Sequence, residues 1–177
     1  MSSAPILTTK RLELRPQVPG DLAGLVRLVA DPETTRFLGE GRNNEADQFA
    51  RLLRNGGSWH WYGYGGFAVR LRGKQDIIAS GGLFRSWRPF GERMQDVTEA
   101  GWVVRHDHTG KGIAREFMAA VMDWFDAEHG SQRVTCMIDE GNAASLRLAA
   151  RLGFAEYARA PADDGAPLIF FERHGPA

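Results

Sequence analysis

One continuous segment constrains the fold most, because an apolar strand, a glycine-containing loop and an amphipathic helix follow each other in it. A strand is predicted over Val97–Arg105, and the loop His106–Gly112 follows it. Apolar residues then recur at helical spacing, at Ile113, Phe117, Ala120, Val121, Trp124 and Phe125. Gly130 ends this predicted helix. A strand that leads into a helix through a short loop is typical of α/β and α+β folds.

The rest of the chain alternates the same two kinds of element. Further strands are predicted over residues 11–15, 67–71, 77–84, 133–138, 154–159 and 167–172, with turns at 72–74 and 163–165. Further helices are predicted from an N-cap at Asp21 to about Ala30, from Glu45 to Leu53 with an end at Asn55-Gly56-Gly57, and from Asn142 to Gly153 with a Schellman-type ending at Phe154. We therefore expect a single α/β (α+β) domain over residues 1–177.

Composition argues against several classes of partner. The chain carries 22 Lys and Arg against 22 Asp and Glu, and this balance disfavours a nucleic-acid binder, which usually has a basic excess. Cys136 is the single cysteine, so no internal disulfide can form, and a reducing compartment suits the chain. Residues 1–10 lack a signal pattern, and no apolar run approaches the ~18 residues of a membrane span. We expect a cytoplasmic protein with no nucleic-acid or membrane partner.

The loop between strand and helix has the features of a phosphate site. Gly110 and Gly112 allow a tight turn, and the helix that follows presents unpaired N–H groups to an anion. On shape alone, an ordinary strand-to-helix turn fits equally well. A Walker loop would need Ser or Thr after Lys111, where Gly112 stands, and a dinucleotide fingerprint would need a third Gly at Arg115. These mismatches disfavour ATP, GTP and NAD.

Two motifs resemble the GNAT superfamily of N-acetyltransferases. The positions of Asp107, Gly110 and Gly112 resemble the family's cofactor motif, although Asp107 stands where the family usually has Gln or Arg. The helix from Asn142 through Ser145 to Gly153-Phe154 resembles its second motif.

Three shorter segments extend the resemblance along the chain. Residues 9–16, 31–39 and 99–102 are similar to the RimJ/RimL branch, which acetylates protein N-termini and also contains small-molecule acetyltransferases.

The resemblance implies a fold and a reaction. It implies a mixed, mostly antiparallel sheet of about seven strands, about four flanking helices, and a V-shaped splay between the fourth and fifth strands. It further implies acetyl-CoA as co-substrate, no metal, direct attack by a primary amine in a ternary complex, and a monomer or homodimer. The alternative is a catalytically silent module that senses acetyl-CoA or binds a partner.

The resemblance also implies which residues form the site. The acetyl-CoA-binding set is Val103, Val104, Arg105, His108, Thr109, Gly110, Lys111, Gly112, Ile113, Ala114, Asn142 and Ser145. The oxyanion donor is expected at a bulge of the fourth strand, as the backbone N–H of Val103 or Val104. Ser145 would protonate the departing thiolate, because Ala149 occupies the position of the tyrosine that many members use, and Tyr157 is the fallback acid.

Two assignments on the acceptor side stay open at this point. Glu99 is the candidate general base, although a solvated strand carboxylate explains it equally well, and His106 and His108 are other candidates. The aromatic and glycine-rich run Trp59–Phe67 either lines an acceptor pocket, where rings attract ammonium groups, or belongs to the core.

Overall fold

A computed structural model of the protein describes residues 5–38, 43–161 and 167–175. The strands are β1 (Leu7–Thr8), β2 (Leu12–Pro16), β3 (Gly66–Leu71), β4 (Ile77–Ser86), β5 (Val97–Val104), β6 (Arg133–Asp139), β7 (Ala155–Ala160) and β8 (Leu168–His174). The helices are α1 (Leu22–Leu28), α2 (Pro32–Thr35), α3 (Glu45–Tyr62), α4 (Ile113–His129) and α5 (Ala143–Arg151).

The strands form one mixed sheet in the order β1-β2-β3-β4-β5-β6-β8-β7. β5 and β6 are parallel, and every other neighbouring pair is antiparallel. The predicted fold class is therefore confirmed, with one strand and one helix more than expected in the described residues. The extra strand is the two-residue β1, and the extra helix is the single turn α2, which Asp31 caps by accepting the N–H of Glu33. The predicted turn at 163–165 lies outside the described residues.

Helices cover both faces of the sheet, because side chains alternate between the faces along each strand. Phe67 of β3 packs in the larger cluster under α4, whereas the next residue, Ala68, packs in a smaller cluster with α1 and α3. Phe117 and Phe125 of α4 are fully buried in the larger cluster. Burial of such side chains contributes roughly 1.5–3 kcal/mol each.

The predicted end of the second long helix was wrong. α3 continues through Gly56 and Gly57 to Tyr62, although each glycine costs a helix about 1 kcal/mol relative to alanine. Tertiary contacts offset this cost: the Ser58 hydroxyl donates to the Tyr64 carbonyl at 2.7 Å, and Trp59 packs edge-on against a sheet phenylalanine.

The remaining helix ends follow the sequence more closely. α5 closes as predicted, because Phe154 N–H donates to Ala149 and Gly153 N–H to Ala150 in a Schellman arrangement. Asp21 marks the start of α1 without capping it with its side chain, and its carboxylate instead pairs with Arg70.

Candidate active site

A cleft opens where two neighbouring strands part. β5 and β6 pair through Thr98 and Glu99 and not beyond, within the residues that the structure describes. Past this point lies a cavity of about 640 Å³, lined by residues 99–103 of β5 and 136–139 of β6. The splay expected between the fourth and fifth predicted strands is therefore present, as the gap between β5 and β6.

The backbone of β5 supplies unpaired donors to this cleft. β4 and β5 pair in an unbroken register over the whole of β5, so the bulge expected in this strand is absent from that pairing. Arg105 N–H donates to the Ile78 carbonyl of β4 at 2.9 Å. Because donors alternate sides along a strand, the N–H of Val103 also faces β4, whereas the N–H of Val104 faces the cleft. Of the two expected oxyanion donors, only Val104 has an N–H free of the β4 pairing.

The glycine loop leaves a helix end open. Gly110 and Gly112 have φ values of 72° and 75°, in the left-handed region that side chains disfavour. Asp31, Asn44 and Asn142 cap α2, α3 and α5 with their side chains, but Gly112 has none to cap α4. The first N–H groups of α4 have no intrahelical partner, so they and the helix dipole face whatever occupies the loop.

The acidic residue in this loop is neutralised by its neighbours. The Asp107 carboxylate accepts from Arg105 Nε at 2.7 Å and lies 2.7 Å from His108 Nδ1. These hydrogen bonds, from Arg105 first and then from His108, hold the pKa of Asp107 well below its usual range. Lys111 Nζ donates to the Asp107 carbonyl at 2.7 Å, which folds that side chain over the loop. The charge of Asp107 is thus directed at Arg105 and His108.

The second motif places a hydroxyl at the cleft. Asn142 caps α5 by accepting the N–H of Ser145 at 3.1 Å, and both residues line the cavity. Trp102 of β5 donates its indole N–H to Ser145 Oγ at 3.1 Å. Since this oxygen accepts from Trp102, the hydroxyl hydrogen remains available for donation. Trp102 was part of the Glu99–Trp102 resemblance, but no sequence signal linked it to Ser145.

Glu99 lies in the cavity within a dense set of hydrogen bonds. Its Oε2 accepts from Ser86 Oγ at 2.5 Å and Arg88 Nε at 2.8 Å, and its Oε1 accepts from a terminal nitrogen of Arg88 at 2.7 Å. The hydrogen bonds that Arg88 donates to Glu99 raise the pKa of Arg88. A carboxylate has about four acceptor positions, so one on Oε1 remains unfilled. Glu99 is therefore not the solvated strand carboxylate of the alternative interpretation.

Tyr157 is not brought to this cavity. It lines a separate depression together with Met94, and its hydroxyl donates to Met94 Sδ at 3.0 Å. Burial raises the pKa of this phenol. Of the three residues expected to be catalytic, the structure brings together Ser145 and Glu99.

The aromatic run belongs mainly to the core. Trp59 packs against Phe67 and Trp124, and the Tyr64 hydroxyl lies 2.8 Å from Thr98 Oγ1. Among the described residues, Gly66 is the one member of the run that lines the cavity. The core interpretation of this run is thus the one that its packing fits.

Basic side chains that the sequence did not single out line the cavity on the side that α3 forms. Arg51 and Arg54 come from α3, and Arg88 comes from the segment between β4 and β5. The Arg54 guanidinium lies over the Phe84 ring, 4.8 Å from its centroid. No sequence motif predicts this grouping, because the fold alone brings α3 to the end of β4.

Two features are absent from the described part of the chain, a metal-binding group and a membrane-spanning helix. In residues 5–38, 43–161 and 167–175, no three His, Cys, Asp or Glu side chains form a group that could hold a metal ion. In the same residues, no helix has the length and apolarity needed to cross a bilayer.

Comparison with known proteins identifies the family. A sequence model of the acetyltransferase (GNAT) domain matches residues 11–155. The chain belongs to the GNAT acetyltransferase family. A GnaT-family acetyltransferase structure from Bordetella pertussis is 31% identical, with a TM-score of 0.84 over 96% of this chain and 99% of that chain. The GNAT chain described here is accordingly an acyltransferase.

Two GNAT relatives have names that state what they acetylate, one a small molecule and the other a protein N-terminus. The L-methionine sulfoximine/L-methionine sulfone acetyltransferase of Pseudomonas aeruginosa is 37% identical over 71 residues, which cover 40% of each chain. RimL, a ribosomal L7/L12 alpha-N-protein acetyltransferase solved in complex with coenzyme A, aligns over 96% of this GNAT chain and 98% of its own, with a TM-score of 0.74. At 16% identity the second likeness shows the shared fold alone.

Proposed function

We propose that this protein is an acetyl-CoA-dependent N-acetyltransferase that moves an acetyl group to a primary amine by direct attack in a ternary complex. The observation that carries the proposal is the convergence of Ser145, Glu99 and the free edge of β5 on one cavity. A hydroxyl donor, a carboxylate acceptor and a backbone N–H can assist acyl transfer to an amine by protonating the leaving group, accepting the amine proton and stabilising the oxyanion.

The residues present fit acetyl-CoA. The uncapped start of α4 and the glycine loop suit a pyrophosphate, and the free edge of β5 suits an extended chain with amide groups. We propose that Gly110, Gly112 and the first turn of α4 hold the phosphates mainly through backbone N–H groups. Arg105 is committed to Asp76 and Asp107, so its charge contributes little to this site. Bound acetyl-CoA supplies the acetyl thioester.

Two groups of the chain would act on the charge that develops during transfer. We propose that the N–H of Val104 stabilises the oxyanion, an interaction worth about 3–4 kcal/mol in other acyl-transfer enzymes. The Ser145 hydroxyl would pass a proton to the departing sulfur and take one from a solvent water in return, with Trp102 holding the oxygen in place. Tyr157 is not needed for this step, since it lies in the other depression.

The attacking amine must lose a proton. We propose that the unfilled acceptor position on Glu99 Oε1 takes it, directly or through a water molecule. A peptide α-amine has a pKa near 8 and a lysine amine near 10.4, so the need for a base differs strongly between acceptors.

The proposal extends to the oligomeric state, the compartment and the partners of the protein. We propose a monomer or homodimer that works in the cytoplasm without a nucleic-acid partner, which the balanced charge and the buried free thiol of Cys136 support. The acceptor is a protein N-terminus, as for RimL, or a small amine, as for the sulfoximine acetyltransferase.

Release of CoA thiol from acetyl-CoA tests the proposal. The amine panel contains short peptides with different N-terminal residues, polyamines, aminoglycosides and free amino acids, and a reaction without amine corrects for hydrolysis. We expect release with one class of amine. Tight acetyl-CoA binding without release from any amine would favour the catalytically silent sensor instead.

A further inference from the structure

Basic side chains outnumber acidic ones among the described residues that line the cavity. Among the described residues that line it, Arg51, Arg54 and Arg88 are basic, and Glu99 and Asp139 are acidic. Arg88 pairs with Glu99 through two hydrogen bonds. Asp139 lies on β6, where it accepts a backbone N–H. Arg54 therefore forms no ion pair with a carboxylate of the described residues, although the charge of Glu99 acts on it from beyond ion-pair distance.

Arg54 is placed to bind a ligand. Its side chain remains accessible to solvent, and its guanidinium lies over the Phe84 ring. No hydrogen bond from Arg54 is formed within residues 5–38, 43–161 and 167–175, although a guanidinium has five N–H donors. Burial, followed by the nearby charges of Arg88 and Arg51, lowers its pKa. An anion beside Arg54 would offset that repulsion.

Two buried amides on the same helix provide a separate observation. Gln48 and Asn55 are more than nine-tenths buried and line the cavity. Gln48 Nε2 and Asn55 Oδ1 have no hydrogen-bond partner in the described part of the chain. An unpaired buried polar atom costs about 1–3 kcal/mol, and folded proteins contain few of them. The helix that carries Arg54 thus also brings an unpaired donor and an unpaired acceptor to the cavity lining, as expected for a site that binds a polar ligand.

We infer that this side of α3 binds a carboxylate of the acceptor, so that the acetylated amine is a small molecule with a nearby carboxylate, such as a free α-amino acid. The planar fork of Arg54 matches a carboxylate better than a point charge does. A polyamine or aminoglycoside would bring further positive charge to the Arg54 guanidinium, and a protein N-terminus has no carboxylate beside its amine. The inference rests on the proposed function, because Glu99 and the thioester must receive the amine in the same cavity.

Paired substrates and a matched variant test the inference. L-methionine is compared with L-methioninamide, which has the same side chain and amine but no carboxylate. Each is assayed by CoA-thiol release with the wild type, Arg54→Gln, Arg54→Lys and the control Arg27→Gln, an exposed arginine of α1 that does not line the cavity. We expect Arg54→Gln to lower kcat/KM for the acid by about 10- to 100-fold and to leave the amide unchanged. Arg54→Lys should fall between, and Arg27→Gln should match the wild type.

A binding measurement separates this inference from the proposed function. Calorimetric titration of L-methionine into the complex with CoA reports carboxylate binding without turnover. Binding that Arg54→Gln weakens, with no release from any amine, would support the carboxylate site and refute the enzyme. Release from peptides, polyamines or phosphoethanolamine in preference to amino acids, with no effect of Arg54→Gln, would support the enzyme and overturn the carboxylate site.

Discussion

Removal of the Ser145 hydroxyl should slow catalysis in a way that depends on pH. The departing thiol has a pKa of about 8.5, so near pH 7 it benefits from a proton, whereas well above pH 8.5 it leaves readily as thiolate. General acids typically contribute 10²- to 10⁴-fold, and an acidic leaving group places this case at the low end. We expect Ser145→Ala to lower kcat about 10- to 100-fold at pH 7 and much less at pH 9.5, with the Kd of acetyl-CoA unchanged.

The indole of Trp102 should act through that hydroxyl. Its bond to Ser145 Oγ, at 3.1 Å, joins two neutral groups and is worth about 0.5–1.5 kcal/mol, a factor of about 2 to 13 in rate. Trp102→Phe should therefore lower kcat by that factor, and the double variant with Ser145→Ala should be no slower than Ser145→Ala alone. Trp124→Phe, a core tryptophan outside the cavity, is the control.

Steady-state CoA-thiol release over pH 6.5–9.5 measures both effects, and thermal unfolding checks that each variant is folded. A kcat for Ser145→Ala equal to that of the wild type would exclude the hydroxyl as the proton donor. Effects of Ser145→Ala and Trp102→Phe that multiply would show that the indole does not work through the serine.

Three further predictions follow from single contacts. Glu99→Gln should lower kcat/KM for amines at least ten-fold without changing the Kd of acetyl-CoA, measured by calorimetry. A rise in that Kd by the same factor would make Glu99 a structural residue only. Gly112→Ala should lower the free energy of unfolding by about 1–2 kcal/mol, because alanine disfavours the positive φ of this position. Gly56→Ala should raise the free energy of unfolding by about 0.5–1 kcal/mol, because a Cβ there meets nothing within 4 Å and alanine favours a helix. Denaturant titration measures both changes. The hydrogen bond from Arg133 lowers the pKa of Glu172, so this carboxylate stabilises the fold above its unfolded pKa and loses that contribution as pH falls. The stability of Glu172→Gln should therefore decline less than that of the wild type as the pH falls below about 4.5. Melting curves recorded from pH 7 to pH 3 measure this difference.

Local patterns predicted the elements because local physics decides most of them. The alternation in the chain located seven strands of the sheet, and the Asn142 cap and Gly153 ending defined α5 at both ends. α3 was the exception. The helix-propensity cost of Gly56 and Gly57 is local, whereas the contacts of Ser58 and Trp59 that offset it lie outside the helix, at Tyr64 and in the sheet. A rule based on local sequence cannot weigh those contacts.

The site was predictable to the extent that it lies on contiguous motifs. Asn142, Ser145 and Glu99 lie in short segments that resemble the family, and each lines the cavity. The bulge expected from the resemblance is absent from the β4–β5 pairing, and the alternation of N–H groups along an unbroken strand distinguishes Val104 from Val103 instead. Strand register is a property of two chain segments, so it could not be worked out from β5 alone.

The zero net charge of the chain conceals an uneven distribution that bears directly on function. At the glycine loop, Asp107 and the neighbouring Asp76 both pair with Arg105, so little net side-chain charge remains, and the proposed phosphate site would depend on backbone N–H groups. On the α3 side of the cavity, Arg54 forms no ion pair with a carboxylate of the described residues. Total charge disfavours a polyanionic partner such as a nucleic acid, but it is silent about a single carboxylate. The arginines that would recognise such a group are distant in sequence from Glu99 and Ser145, and the fold brings them to one cavity.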